Sequence, residues 1–336
     1  MNTIELSLFS SRLTAVCDEM GAVLQRAAFS TNIKDRLDFS CAVFGPEGDL
    51  CAQAAHIPVH LGSMAFAMQA LVAGTDWSPG DVVIVNDPFL GGTHLPDITL
   101  ISPVYESGEL IGFVANRAHH ADIGGETPGS MPVSRTLEEE GLVIPPTHLL
   151  RAGQAVDGVL ERIVAAIASP VQMRGDLAAQ LSANRAGEQR LAALARSAGL
   201  QAFRAGLAAV NRYGARLAEE ALAVLPNGRY QFRDVMDDDG LGRQDISLAV
   251  SIAVSDGKVE VDFAGTAAQV EGNINCPLSV TAAGVFYVLR CLMPAHTPAC
   301  AGSFQGIHLT APEGCLVNAR YPAAVSYTHL TLPTTS

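Results

Sequence analysis

Lysine is almost missing from this chain. Lys34 and Lys258 are the only two among 21 basic residues, which face 34 acidic ones for a formal net charge of -13. A chain so poor in cations offers no basic surface to neutralise phosphates, which argues against nucleic acid as a partner. Long apolar runs are lacking as well. None reaches the ~18 residues of a membrane span, and the longest candidate, from Cys276 to Pro294, is interrupted by Arg290. Met1-Asn2-Thr3-Ile4-Glu5 shows no basic region and no cleavage-type segment, so no secretory address is visible and the expected location is the cytoplasm. The seven cysteines are scattered, without C-x-x-C or zinc-finger spacing. They read as reduced, mostly buried thiols, with Cys41 and Cys51 as core packing before nucleophiles. No Walker loop, dinucleotide fingerprint or G-x-S-x-G elbow occurs, so this chain shows no recognised way to hold ATP or a dinucleotide.

What is present is ample apolar material. Hydrophobic residues make up 49% of 336 positions, enough for a substantial core and about two domains by length. Leu6, Phe9, Leu13, Val16, Met20, Val23 and Ala27 recur at helical spacing, and Asn2 with Glu5 forms a capping-box pattern, which predicts a helix over 4–28. Apolar runs predict strands at 39–44, 82–86 and 111–115, the last two running out into glycine-rich loops. Residues 157–225 turn Ala/Leu/Arg-rich and predict helices broken at Ser169-Pro170 and Gly199, those from Asp176 and Gln201 forming an antiparallel pair. Asp256-Gly257 is a type I′ turn signal. It would pair Val254 with Val259, Ile252 with Val261 and Val250 with Phe263, all apolar and on one face. The expected class is mixed α/β (α+β): a metal-binding strand-loop domain at 1–156, a helical section at 157–225 and a β-rich section at 226–325 that reads as incomplete. Residues 326–336 carry no formal charge, continue no earlier pattern, and read as a non-native tail.

The chemistry concentrates in two loops. Asn86-Asp87-Pro88-Phe89-Leu90-Gly91-Gly92-Thr93-His94-Leu95-Pro96-Asp97 and Asn116-Arg117-Ala118-His119-His120-Ala121-Asp122-Ile123-Gly124-Gly125 hold three histidines and three aspartates. Imidazole and carboxylate are the ligands of divalent metals, and His94 with Asp97 plus one later histidine makes a two-histidine, one-carboxylate face. Such a face leaves positions open for activating water or polarising a carbonyl. Adjacent histidines point in different directions, so one of His119 and His120 joins the sphere while the other handles protons or water. Asp122 and Asp87 are candidates for fixing imidazole tautomers, although Asp87 before Pro88 also suits a turn. A lone His-x-x-Asp would more often be a capped loop; the second cluster is what favours a metal.

Other polar groups read more plainly. His56 and His60 are core or loop histidines at least as readily as pocket residues, and Glu138-Glu139-Glu140 is a solvated acidic face. Asp237-Asp238-Asp239-Gly240 lacks the alternation and distal glutamate of a calcium loop.

Taken with Glu140-Gly141-Leu142-Val143-Ile144-Pro145-Pro146, Asp38-Phe39-Ser40-Cys41, His56 to Met64, Val261 to Thr266, Gly272-Asn273-Ile274-Asn275 and Pro322 to Val325, these loops resemble the hydantoinase B/5-oxoprolinase family nearly end to end. That resemblance implies manganese on His94, Asp97 and His119; the same donors suit zinc, and His120 or Asp122 is the expected carrier of protons. It also implies an actin-like, hydantoinase A-type ATPase partner that uses ATP and magnesium to phosphorylate the carbonyl oxygen of a lactam or hydantoin, in a hetero-oligomer. Hydrolysis of that activated ring is the leading expectation. An acetone-carboxylase-like α subunit and a non-catalytic assembly subunit are the alternatives. His148 stands where relatives usually carry lysine, and the sequence beyond Val325 departs from the family's pattern.

Overall fold

The computed structural model describes residues 1–55, 57–127 and 133–326. His56 and all of the final segment after Ser326 lie outside the described residues. In chain order the elements are α1 (Thr3–Ala27), the short α2 (Thr31–Lys34), β1 (Phe39–Phe44), β2 (Leu50–Ala55), α3 (Pro58–Ala73), β3 (Val82–Val85), a 3₁₀ turn (Pro88–Leu90), β4 (Asp97–Glu106), β5 (Glu109–His119), α4 (Leu137–Glu140), β6 (Thr147–Arg151), β7 (Gln154–Ala155), α5 (Val159–Ala165), α6 (Pro170–Ala198), α7 (Leu200–Leu222), β8 (Gly228–Asp238), β9 (Gln244–Ser255), β10 (Lys258–Asp262), α8 (Leu278–Cys291), a second 3₁₀ turn (Ala301–Phe304) and β11 (Ile307–Thr310). The fold is mixed α/β. Among the described residues no helix is long and apolar enough to cross a membrane.

Seven strands form one sheet in the order β2-β1-β5-β4-β3-β6-β7, every neighbouring pair antiparallel. Register assigns its two faces. Phe39, Cys41, Val43, Val114 and Ala118 point to one side and join Leu13, Val16, Met20 and Leu24 of α1 and Ala179, Ala183 and Leu191 of α6 in a buried cluster. Ala42, Phe44, Ile101, Phe113 and Ala115 point to the other side and pack on Met64, Ala67, Met68 and Leu71 of α3. The capping box at Asn2 and Glu5 is formed: each residue's side chain accepts the other's backbone N–H.

The second sheet runs β11-β10-β9-β8. Asp256 and Gly257 both take positive φ, 49° and 79°, and set the expected pairing of Val254 with Val259 and Ile252 with Val261. One expectation about the helices needs correcting. α6 packs along α1 and the sheet and meets α7 only sparingly, because the small face of α6 at Gly187 lies against Met20 of α1. The three sections share their interior: Ala218 and Leu222 of α7, Val259 and Ile307 of the second sheet and Phe286 of α8 belong to the same buried cluster as α3.

Candidate metal centre

The centre is set by the register of one hairpin. β4 and β5 are joined at Ser107-Gly108, both in the left-handed region (φ 53° and 80°). Near the turn Glu106 pairs with Glu109 and Tyr105 with Leu110. Between Val104 and Tyr105 the register slips by one residue, so Val104 faces Gly112 and, at the open end, Asp97 faces His119. Without that bulge Asp97 would oppose Ala118 and His119 would lie on the other face, since side chains alternate. Gly112 makes the irregularity possible: its φ is 156°, and a Cβ there would sit 2.4 Å from the Phe44 carbonyl oxygen of the neighbouring strand.

Asp97 and His119 thus head a polar row on the α3 side of the sheet. His94 reaches it from the loop before β4. Asp97 Oδ1 lies 3.2 Å from His94 Nε2 and 3.1 Å from His119 Nδ1, and the two imidazole nitrogens are 3.2 Å apart. Nitrogen and oxygen donors at roughly 2.0–2.2 Å from one cation stand about 3.0–3.5 Å from each other when adjacent. The triangle therefore fits one face of a coordination polyhedron, and among the described residues it is the group of side chains placed to hold a metal. All three are buried, but His119 keeps 11% of its side chain accessible while Asp97 keeps none, so the centre opens on the His119 side. Burial opposes protonation of His119, yet contact with Asp97 outweighs it and holds the imidazole proton more tightly than usual.

Several groups that sequence reasoning passed over complete the surroundings. Thr93 donates its hydroxyl to Asp97 Oδ2. His60, in the first turn of α3, places Nε2 3.4 Å from the same oxygen and hydrogen-bonds Ser40 Oγ through Nδ1, so it belongs to the site and not to the bland core. Arg117, one row further in and 1% exposed, donates to Thr99 Oγ1, Ser63 Oγ and the Gly91 carbonyl. It ties β4, α3 and the glycine loop together; burial lowers its pKa to about 10, against the pull of Asp97. Asp38 lies across from His119, whose backbone N–H donates to its carbonyl. One Asp38 carboxylate oxygen is buried without a hydrogen-bond partner among the described residues. The Ser326 carbonyl stands 3.4 Å from His94 Nδ1, an arrangement that fixes the tautomer exposing Nε2. A signal for His60 was available: Pro58 marks a helix start that projects the third helical residue over the sheet.

The two expected proton carriers do not reach this cluster. His120 follows His119, so its ring passes to the other face of the sheet and bonds Gln180 Oε1 of α6 at 2.9 Å; burial pulls its pKa below the ordinary value. Asp122 caps backbone instead, accepting from Gly124 N, Ala168 N and Ser169 N ahead of α6. Asp87 likewise caps the 3₁₀ turn through Phe89 N and, among the described residues, has no hydrogen bond to an imidazole. His148 is turned towards Asp81 and Trp77. Asp238 and Asp239 bind their own loop's amides.

Glu140 is the largest departure among the acidic residues. Glu138 and Glu139 are exposed, whereas Glu140 is 1% exposed and its Oε1 accepts from Ser134 Oγ and from the amides of Val325 and Ser326. Its other oxygen is buried without a partner among the described residues. Burial raises the carboxyl from 4.5 to about 7. Between those values the folded chain binds the proton that the unfolded chain has released, so stability falls as pH rises through this window. At ~1.4 kcal/mol per pH unit the loss approaches about 3 kcal/mol. Glu140→Gln keeps the acceptor and removes the titration. Urea denaturation from pH 4.5 to 8 should show the wild-type chain losing stability relative to this variant up to about pH 7 and running parallel above; parallel curves throughout would refute the assignment.

With this geometry in place, comparison with known proteins identifies the lineage. Residues 2–335 match the family model for hydantoinase B/oxoprolinase. The chain belongs to that family. It is 36% identical to 5-oxoprolinase 1 of Arabidopsis thaliana over 96% of this chain and 28% of that protein. It is 30% identical to a Pseudomonas protein named as the B component of a D-/L-hydantoinase, over 96% of this chain and 57% of that one. Among solved structures, the ATP-dependent caprolactamase of Pseudomonas jessenii superposes with a TM-score of 0.91 at 28% identity, over 98% of this chain and 57% of that chain. A nucleotide-free acetone carboxylase superposes at 0.88 with 18% identity over 97% and 46%, a likeness of fold. The chain spans between about a quarter and three-fifths of the lengths of these relatives.

Proposed function

We propose that this chain is the metal-bearing part of an ATP-dependent hydrolase of cyclic amides, acting on a lactam or hydantoin ring of the 5-oxoproline type. The observation that carries the reading is the buried triangle of His94 Nε2, Asp97 Oδ1 and His119 Nδ1, with edges of 3.1–3.2 Å. A divalent cation, manganese or zinc, fits this donor set; when bound it supplies Lewis acidity for polarising an amide carbonyl or activating water. Asp38 acts electrostatically on His119 from the adjoining chain segment but stands outside the donor group itself.

The chain's own residues prepare the place. Thr93 and the two coordinating histidines orient the Asp97 carboxylate, and Arg117 sets a positive charge behind it without a carboxylate partner of its own among the described ion pairs. His60 bridges Asp97 and Ser40 and is the imidazole placed to hold or pass a proton at Nε2, the role that His120 and Asp122 are too far turned to take. A substrate approaches along the His119 side, where the walls leave access. An amide carbonyl is a poor electrophile, and this chain shows no nucleotide motif, so activation falls to an ATPase partner of the hydantoinase A type using ATP and magnesium. Hydrolysis is preferred to carboxylation because the names of the relatives at 28–36% identity are those of ring-opening enzymes, while the carboxylase shares the fold alone.

The test is reconstitution of the complex with its ATPase partner and assay of 5-oxoproline, hydantoin and larger lactams with ATP. With ATP and magnesium present throughout, ring opening is expected to disappear when this chain has been stripped of its own metal and to return on adding manganese or zinc. Full turnover by the stripped chain with magnesium alone would refute the proposal.

A further inference from the structure

The far face of the sheet, behind the metal centre, is not apolar where it meets α6. Gln180 and Asn184 are 0% exposed, as is Asn116 of β5 between them. His120 Nε2 and Gln180 Oε1 lie 2.9 Å apart. Gln180 donates to the Ile98 carbonyl at 2.9 Å and to Asn116 Oδ1 at 2.8 Å. Asn116 donates to the Gln180 carbonyl and to Asn184 Oδ1 at 2.9 and 2.7 Å. Asn184 donates to the Leu100 carbonyl and to Ser102 Oγ at 3.2 and 3.1 Å. Every amide N–H of the three side chains is used and every amide oxygen accepts, so each side chain has one orientation.

Stability alone does not call for this arrangement. Covering a sheet face needs only an apolar helical stripe, and a fully paired polar network contributes little net energy over well-packed hydrocarbon. What the network does supply is position. Its bonds end on the Ile98 carbonyl, next to Asp97, and on the ring of His120, next to His119. His119 faces the cluster through Nδ1, the ring nitrogen closest to the backbone, so a small displacement of β5 moves the donor atom almost one for one.

We propose that the Gln180–Asn116–Asn184 amide chain is a positioning device for the His94/Asp97/His119 centre, locking β4 and β5 beneath α6 so that Asp97 and His119 meet at ligation distance. This rests on the metal reading above and adds residues that touch neither the cation nor the substrate. Gln180→Met keeps the volume and removes the bonds; Gln180→Asn, which draws the amide back by one methylene, serves if the first variant does not fold.

The experiment is titration of Co²⁺ into the metal-free chain, followed by calorimetry and by the visible d–d absorption. The wild-type chain is expected to bind one Co²⁺. The Gln180 variants are expected to bind about 10–100-fold more weakly, the usual cost of losing an outer support of a metal ligand, with a changed absorption band. Ser303→Ala, which deletes a buried bond to the Pro298 carbonyl in the second 3₁₀ turn, should lower the melting temperature without altering affinity or spectrum. Wild-type affinity and spectrum in both Gln180 variants would overturn the positioning role. Failure of the wild-type chain to bind Co²⁺ would instead overturn the metal reading itself.

Discussion

Asp97→Ala is expected to abolish useful metal binding, with affinity for manganese or zinc falling by well over ~100-fold, because even outer supports of a ligand are worth about 10–100-fold. Asp97 contributes the one carboxylate oxygen of the triangle and receives Thr93 and His60 on its second oxygen. Removing it leaves three imidazoles crowded around an empty corner, without the negative charge that offsets a dication. The loss should appear twice. Calorimetry should show no saturable site. The metal-dependent rise in thermal stability, about 2.7 kcal/mol at a hundredfold excess over Kd, should vanish with it. Asp122→Ala is the informative control: it strips the cap from Ala168 N and Ser169 N ahead of α6, costing about 1–2 kcal/mol, yet should leave metal affinity as it is. Equal affinity losses in the two variants would show that the carboxylates act through folding alone.

The second large effect lies far from any ligand. Gly112→Ala places a methyl 2.4 Å from the Phe44 carbonyl oxygen at a φ of 156°, so either β1 moves away or the bulge between Val104 and Tyr105 is lost. The first outcome costs about 3 kcal/mol or more, within the range of overpacked, conformationally incompatible sites. The second slides Asp97 opposite Ala118 and turns His119 to the α6 face. Both outcomes lower the melting temperature, by roughly 4 °C or more for a protein of this size, and the second removes metal binding as well. A Gly112→Ala chain with wild-type stability and affinity would mean that the bulge does not set the site.

These two residues mark where the sequence was legible. His94 and Asp97 could be read as a pair because their spacing and glycine-rich surroundings suit a ligand loop, and the hairpin at Asp256-Gly257 because its turn demands positive φ. The α1 helix followed from its apolar spacing and its cap. His119 against His120 could not be settled from residue types: the choice hangs on a one-residue bulge at Ile111 of β5, eight positions earlier, which nothing in the alternation of that strand announces. Glu140 looked like its exposed neighbours because α4 is a single turn, and only the packing of residues 321–326 over it takes water away. The pairing of α6 was misjudged for a related reason. An apolar stripe says that a face is buried, not which distant helix buries it, and the polar stripe at 180 and 184 gave no periodic signal at all.

The most direct test of the central claim is a crystal structure of the manganese- or zinc-loaded chain with anomalous data collected at the metal's absorption edge. One anomalous peak is expected within about 2.0–2.2 Å of His94 Nε2, Asp97 Oδ1 and His119 Nδ1. A peak held by other side chains, or a loaded chain in which these three remain hydrogen-bonded only to one another, would contradict it.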